Sequence, residues 1–203
     1  MNEGITRGWR APWAIYVAAS FLAAGAIASA LLLGDDPAGR ALLAARYTAR
    51  VSFLAFTLVF IAGPASRLWR EPAVRWLARQ RRHLGLATAL LLFVHLVALL
   101  INITIYHPRP WKAQVGGALI YLLLAAMALT SSNGAQRRMG RWWRRVHLLG
   151  LSALWLAFFV AYAGRLFARE QFLTGLIFTP VVLLILAVRL YALTPRRLTA
   201  PSR

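Results

Sequence analysis

Residues His83 to Ile105, HLGLATALLLFVHLVALLINITI, run for 23 positions without an Asp, Glu, Lys or Arg. A helix needs about 20 mostly apolar residues to cross a hydrocarbon core ~30 Å thick, so this stretch reads as a membrane-spanning helix. Arg81 and Arg82 stand directly before it and fix one end at a cationic interface. Two of its residues, His83 and His95, carry metal-binding chemistry.

Five further windows are apolar enough to cross: approximately 12–33, 51–66, 115–131, 146–165 and 172–193. Pro64 and Pro180 read as local helix perturbations. A bilayer offers no water to an unpaired backbone group, so each crossing must be a helix. The expected fold is therefore all-α, a polytopic six-transmembrane-helix bundle forming a single domain over 1–203. Ala28-Ser29-Ala30 resembles a signal-peptidase site, but the preceding apolar run is longer than a signal sequence needs, and it reads as a span.

Composition agrees. Of 203 residues, 60% are hydrophobic and only 14% charged, whereas a soluble domain carries roughly a quarter charged residues. The 24 Lys+Arg against 5 Asp+Glu give a net charge of +19, but this hydropathy rules out a soluble nucleic-acid binder. No nucleic-acid partner is expected.

The cations are instead a topology signal, because short loops rich in Arg and Lys stay cytoplasmic. The amino-terminal segment, the loops after spans two and four, and the carboxy-terminal side hold 17 of them, including Arg7, Arg10, Arg196, Arg197 and Arg203. The other three loops hold seven: Arg40, Arg46, Arg50, Arg109, Lys112, Arg165 and Arg169. Both termini are expected in the cytoplasm of a bacterial inner-membrane protein, with the arginine clusters also touching anionic lipid.

Without cysteine, thiolate metal sites and disulfides are excluded, and histidine must carry any metal chemistry. Ionisable groups inside a membrane mark function. The candidates are His83, His95 and His147, with His107 in the far-side loop. No Asp, Glu or Lys lies within the spans, which argues against a pump or ion-coupled transporter. Neutral imidazole in an apolar bundle suits an axial ligand of heme iron; an interhelical hydrogen bond is the competing role for each ring. His83 and His147 each follow an arginine cluster and are expected at similar depth. His95 lies twelve residues beyond His83, roughly 18 Å deeper along the helix.

The run Arg81-Arg82-His83-Leu84-Gly85-Leu86 with His95, then Leu129-Thr130-Ser131-Ser132, Gln136-Arg137-Arg138-Met139-Gly140, Trp143 and His147, resembles the ferric-reductase-like transmembrane domain family. Arg46-Tyr47-Thr48-Ala49-Arg50 and Pro64 in the second span add to it. The resemblance implies a b-type heme subunit that passes electrons from a cytoplasmic flavin reductase or quinol to a periplasmic redox protein. It places His95 and His147 at heme-ligand positions, and Arg81 and Arg82 where they support heme propionates or the phosphate of FMN. The family's second histidine on the fifth span falls on Val160 here. Tyr162, two residues off that pattern, reads as an interfacial side chain.

Depth and resemblance together give the expectation of one heme b between His83 and His147 and a second, incomplete site at His95. No Rossmann fingerprint for a nicotinamide or flavin domain is visible in 203 residues, so any dehydrogenase activity is expected from a partner. The alternative is a heme-free structural or assembly subunit of a larger membrane complex that retains the bundle.

Overall fold

The computed structural model describes residues 12–194. Arg7, Arg10, Arg196, Arg197 and Arg203, used above for orientation, lie outside the described residues. Helices α1 (Trp13–Leu33), α2 (Pro37–Leu68), α3 (Pro72–Ile101), α4 (Trp111–Leu129), α5 (Asn133–Met139), α6 (Arg141–Arg165) and α7 (Phe172–Leu193) follow in chain order. A π-helical segment, Asn102–Tyr106, extends α3, and a 3-10 turn, Arg169–Gln171, leads into α7. All but α5 are long and apolar enough to cross a membrane, and no strand occurs among the described residues.

Two helices are much longer than hydropathy suggests. The second begins at Pro37 rather than near Val51 because Asp36 caps it, its side chain accepting from the Gly39 amide, and Pro37 occupies the first turn. Arg40, Arg46 and Arg50 depress local hydropathy without breaking the helix. At 1.5 Å per residue its 32 residues span about 48 Å, so its ends extend past the hydrocarbon core. The third helix likewise begins at Pro72, which makes Arg75, Arg79, Arg81 and Arg82 helical residues rather than a loop. The link between α4 and α6 is also structured: Ser132 caps α5 by accepting from the Ala135 amide. Gly140, at φ +52°, makes the left-handed turn into α6.

The starts of α1, α3 and α6 gather with the ends of α2, α4 and α7 at one arginine-rich end. α1 is apolar all round, so composition alone cannot say which face is buried. Its buried residues are Ala19, Ala23, Ala26 and Ala30, a small-residue stripe that lets it approach α3 at Ala87 and Leu91. On α2, Phe53, Phe56 and Phe60 form one face, packed against Phe158 and Tyr162 of α6 and Val182 of α7. Phe53 lies 5.1 Å from Phe158 and 5.0 Å from Tyr162, centroid to centroid. Outside this aromatic core, large apolar side chains face outward, as expected for a lipid-facing surface.

The end of α6 and the start of α7 approach closely at Gly175. A Cβ on Gly175 would stand 2.7 Å from the Leu166 amide nitrogen and 3.0 Å from the Arg165 carbonyl carbon. Backbone cannot give way as a side chain can. Gly175→Ala is expected to destabilise the bundle by ~1–3 kcal/mol through overpacking, read as a lowered unfolding midpoint in detergent. Gly63→Ala, where nothing lies within 4 Å, is the control expected to leave that midpoint nearly unchanged.

Candidate functional site

Two cavities lie between α3 and α6, stacked along the bundle. The inner one, about 570 Å³, sits at the arginine-rich end. The outer one, about 350 Å³, opens toward the other end. Both fall in the size range of cofactor pockets, ~300–1,000 Å³. Ala89, Leu124 and Leu151 line the inner cavity, and Leu92, Ile120 and Leu154, within four residues of them on the same helices, line the outer.

His147 lines the inner cavity. Its Nδ1 donates to the Trp143 carbonyl at 3.1 Å, one turn back on α6, and its ring stacks on the Trp143 indole at 4.0 Å. That indole is itself fixed, donating through Nε1 to the Thr130 carbonyl at the end of α4 at 2.9 Å. A neutral imidazole carries one N–H. Spent on a carbonyl, that proton leaves Nε2 with a bare lone pair, the arrangement found behind metal-ligating histidines.

His95 lines the outer cavity and repeats the arrangement with different parts. Its Nδ1 lies 3.1 Å from Thr48 Oγ1. The Thr48 hydroxyl has one proton, and it goes to the Ala44 carbonyl at 2.6 Å. Thr48 therefore accepts from His95, whose Nε2 is again the unprotonated nitrogen. Thr48 belongs to the Arg46-Tyr47-Thr48-Ala49-Arg50 run, but nothing in the sequence alone assigns it to His95.

His83 is placed differently. Its Nδ1 lies 3.0 Å from the hydroxyl of Tyr16 on α1, the two rings meet edge to face at 5.9 Å, and it does not line the inner cavity. The expected juxtaposition of His83 and His147 is thus not formed: the two start at comparable depth, but His83 faces α1. His107 accompanies the π-helical segment, donating from Nδ1 to Asn102 Oδ1 at 3.0 Å. Among the described residues, no cluster of three or more His, Cys, Asp or Glu is arranged to hold a metal ion; a heme, whose porphyrin supplies four ligands, needs no such cluster.

Arginine supplies the charge in both cavities. Arg67, Arg79, Arg81, Arg82, Arg144 and Arg189 line the inner one, and among the described residues no carboxylate does. Arg82 also donates to Asn133 Oδ1 at 3.1 Å, and Arg189 lies 4.7 Å over the Phe60 ring. Arg46, Arg109 and Arg165 line the outer cavity, Arg165 donating to Gln171 Oε1 at 2.8 Å. Guanidinium forks suit carboxylates and phosphates. Arg67, Arg144 and Arg189 come together with Arg81 and Arg82 only through the fold.

Val160 and Tyr162 both depart from expectation. Val160 is 62% exposed on the outer face of α6 and lines neither cavity. Tyr162, read from sequence as interfacial, is 1% exposed within the aromatic core, 4.8 Å from Phe178, and its hydroxyl has no hydrogen-bond partner.

An imidazole nitrogen and several guanidinium groups can hold an iron porphyrin by its metal and its propionates. Gly63 and Gly85, with nothing within 4 Å of an added Cβ, leave open space on the wall of the inner cavity.

No family model matches the chain, and no solved structure does. It is similar to the heme-binding subunit of protein-methionine-sulfoxide reductase from Cronobacter sakazakii, at 32% identity over 111 residues. That match covers 50% of this chain and 53% of the relative, so it spans about half the relative's length.

The hydrogen bonds make a prediction independent of any ligand. Nitrogen-15 spectra of histidine-labelled protein are expected to show His95 and His147 with Nδ1 protonated and Nε2 bare. Thr48→Val should remove that preference at His95 and leave His147 unchanged.

Proposed function

We propose that this chain is the heme-binding membrane subunit of a methionine sulfoxide reductase type of redox system, moving electrons across a bacterial inner membrane. The observation that carries this reading is the shared arrangement of His95 and His147: each holds Nδ1 against a fixed oxygen and lines a cavity. The similarity to a heme-binding subunit supports it independently.

In this reading His147 holds heme b in the inner cavity and His95 holds a second in the outer. A bound heme supplies one-electron chemistry within an interior that offers little else. Trp143 and Thr48 keep the two rings aimed and in the ligating tautomer. Arg81 and Arg82, with Arg67 and Arg189, neutralise propionates; the phosphate of FMN would make the same demand on them. The arginine-rich end faces the cytoplasm by the positive-inside rule and receives electrons from a flavin reductase or quinol. The opposite end delivers them to a periplasmic redox protein. His83 serves packing through Tyr16 rather than ligation. The competing reading, a heme-free structural subunit of a larger complex, takes its support from there being one imidazole per cavity.

A dithionite-reduced minus oxidised spectrum of protein purified after expression with ample heme decides between them. Reduced b-type bands are expected, with part of the heme lost in His147→Ala, part in His95→Ala and none lost in His83→Ala. Thr48→Val should weaken heme retention at His95 by ~10–100-fold, as loss of a supporting hydrogen bond does at metal sites. Absence of b-type bands would leave the structural reading.

A further inference from the structure

The outer cavity, like the inner, is lined by one imidazole. The chain has four histidines, and three are engaged elsewhere: His147 in the inner cavity, His83 at Tyr16 and His107 at Asn102. There is no cysteine, and among the described residues neither Met127 nor Met139 lines the outer cavity. His95 is therefore its only imidazole, and among those residues no sulfur donor accompanies it.

The wall contributed by α6 presents Leu154, Ala157, Phe158 and Ala161. Ala157 and Ala161 are one helical turn apart, so their methyl groups occupy one strip. Neither offers a donor atom. Val160 points away from the cavity, so a histidine there would not enter it. Tyr162 does border the cavity, but its hydroxyl is inaccessible and its ring is held among Phe53, Phe158 and Phe178. Tyr121 is the remaining phenol on the wall.

We infer that the outer cavity binds its heme through His95 alone and leaves the opposite coordination position, against the Ala157 and Ala161 strip, open to a small neutral ligand of the size of a diatomic gas. The inference rests on the heme-binding reading above and adds a ligand site to it. The α6 strip itself is apolar, which suits an uncharged molecule, and the alanine methyls leave it room.

Carbon monoxide is the probe, because an iron held by two protein imidazoles has no position free for it. In His147→Ala, which keeps only the outer site, carbon monoxide is expected to shift the absorption bands of the reduced protein, with loss of that response in His95→Ala. Ala157→His and Ala161→His, made separately in the His147→Ala background, are expected to abolish the shift in at least one case while retaining heme; Val160→His should leave it intact. Retained heme with no carbon monoxide response in His147→Ala overturns the inference while the heme-binding reading stands. A response that appears only after Tyr121→Phe overturns it too, since Tyr121 would then fill the position. Persistence of the response in both alanine variants would show that the strip does not face the iron, which also overturns it. No heme in any variant, the unaltered protein included, defeats the reading and this inference together.

Discussion

A neutral imidazole in an apolar interior must place its single N–H on an acceptor, and where that proton goes determines what the ring can do. In this bundle two rings, on α3 and α6, hand the proton from Nδ1 to an oxygen that is itself fixed. For His147 the acceptor is a helix carbonyl one turn back, under an indole pinned to α4. For His95 it is a threonine on α2 whose own proton is committed to Ala44. One link ties α6 to α4 through Trp143 and the other ties α3 to α2 through Thr48, so each cavity has its imidazole held by a neighbouring helix.

The sequence reveals the number of spans, because hydropathy over twenty residues is a summed property. It hides the true lengths of α2 and α3, because arginine lowers hydropathy yet is a good helix former. Depth was equally legible: counting residues from the arginine clusters separates His95 from His147. Azimuth was not. A residue's height along a helix follows from its number, but which neighbour it faces depends on how helices pack, and nothing in the segment 81–95 distinguishes a ring facing α1 from one facing α6. That is why His83 reads as a partner of His147 and is instead paired with Tyr16. Tyr162 is misread for a related reason: an aromatic near the end of a span resembles an interfacial anchor until the phenylalanines of α2 are seen to enclose it.

The same limit governs charge. Arginines from four segments converge on the inner cavity, Arg67 of α2 and Arg189 of α7 arriving far apart in sequence from Arg81, Arg82 and Arg144. Read along the chain they are a topology signal; gathered by the fold they become an anion site. The two descriptions are compatible, since the residues that the positive-inside rule reads as a topology signal are the ones that line the inner cavity. Alanine and glycine play the complementary part, at the α1 stripe, at Gly175 and along the Ala157 and Ala161 strip, by leaving space.

The segments that join the two cavity linings, Ala89 to Leu92 on α3 and Leu151 to Leu154 on α6, contain no acid or base to relay a hydrogen ion. An electron passed across them travels without its proton. Each such transfer moves net charge across the dielectric, and for one that traverses the full membrane the voltage adds or subtracts ~2.3 kcal/mol per 100 mV. In the proposed reading, membrane voltage would then bias the direction of electron traffic with no effector bound at all.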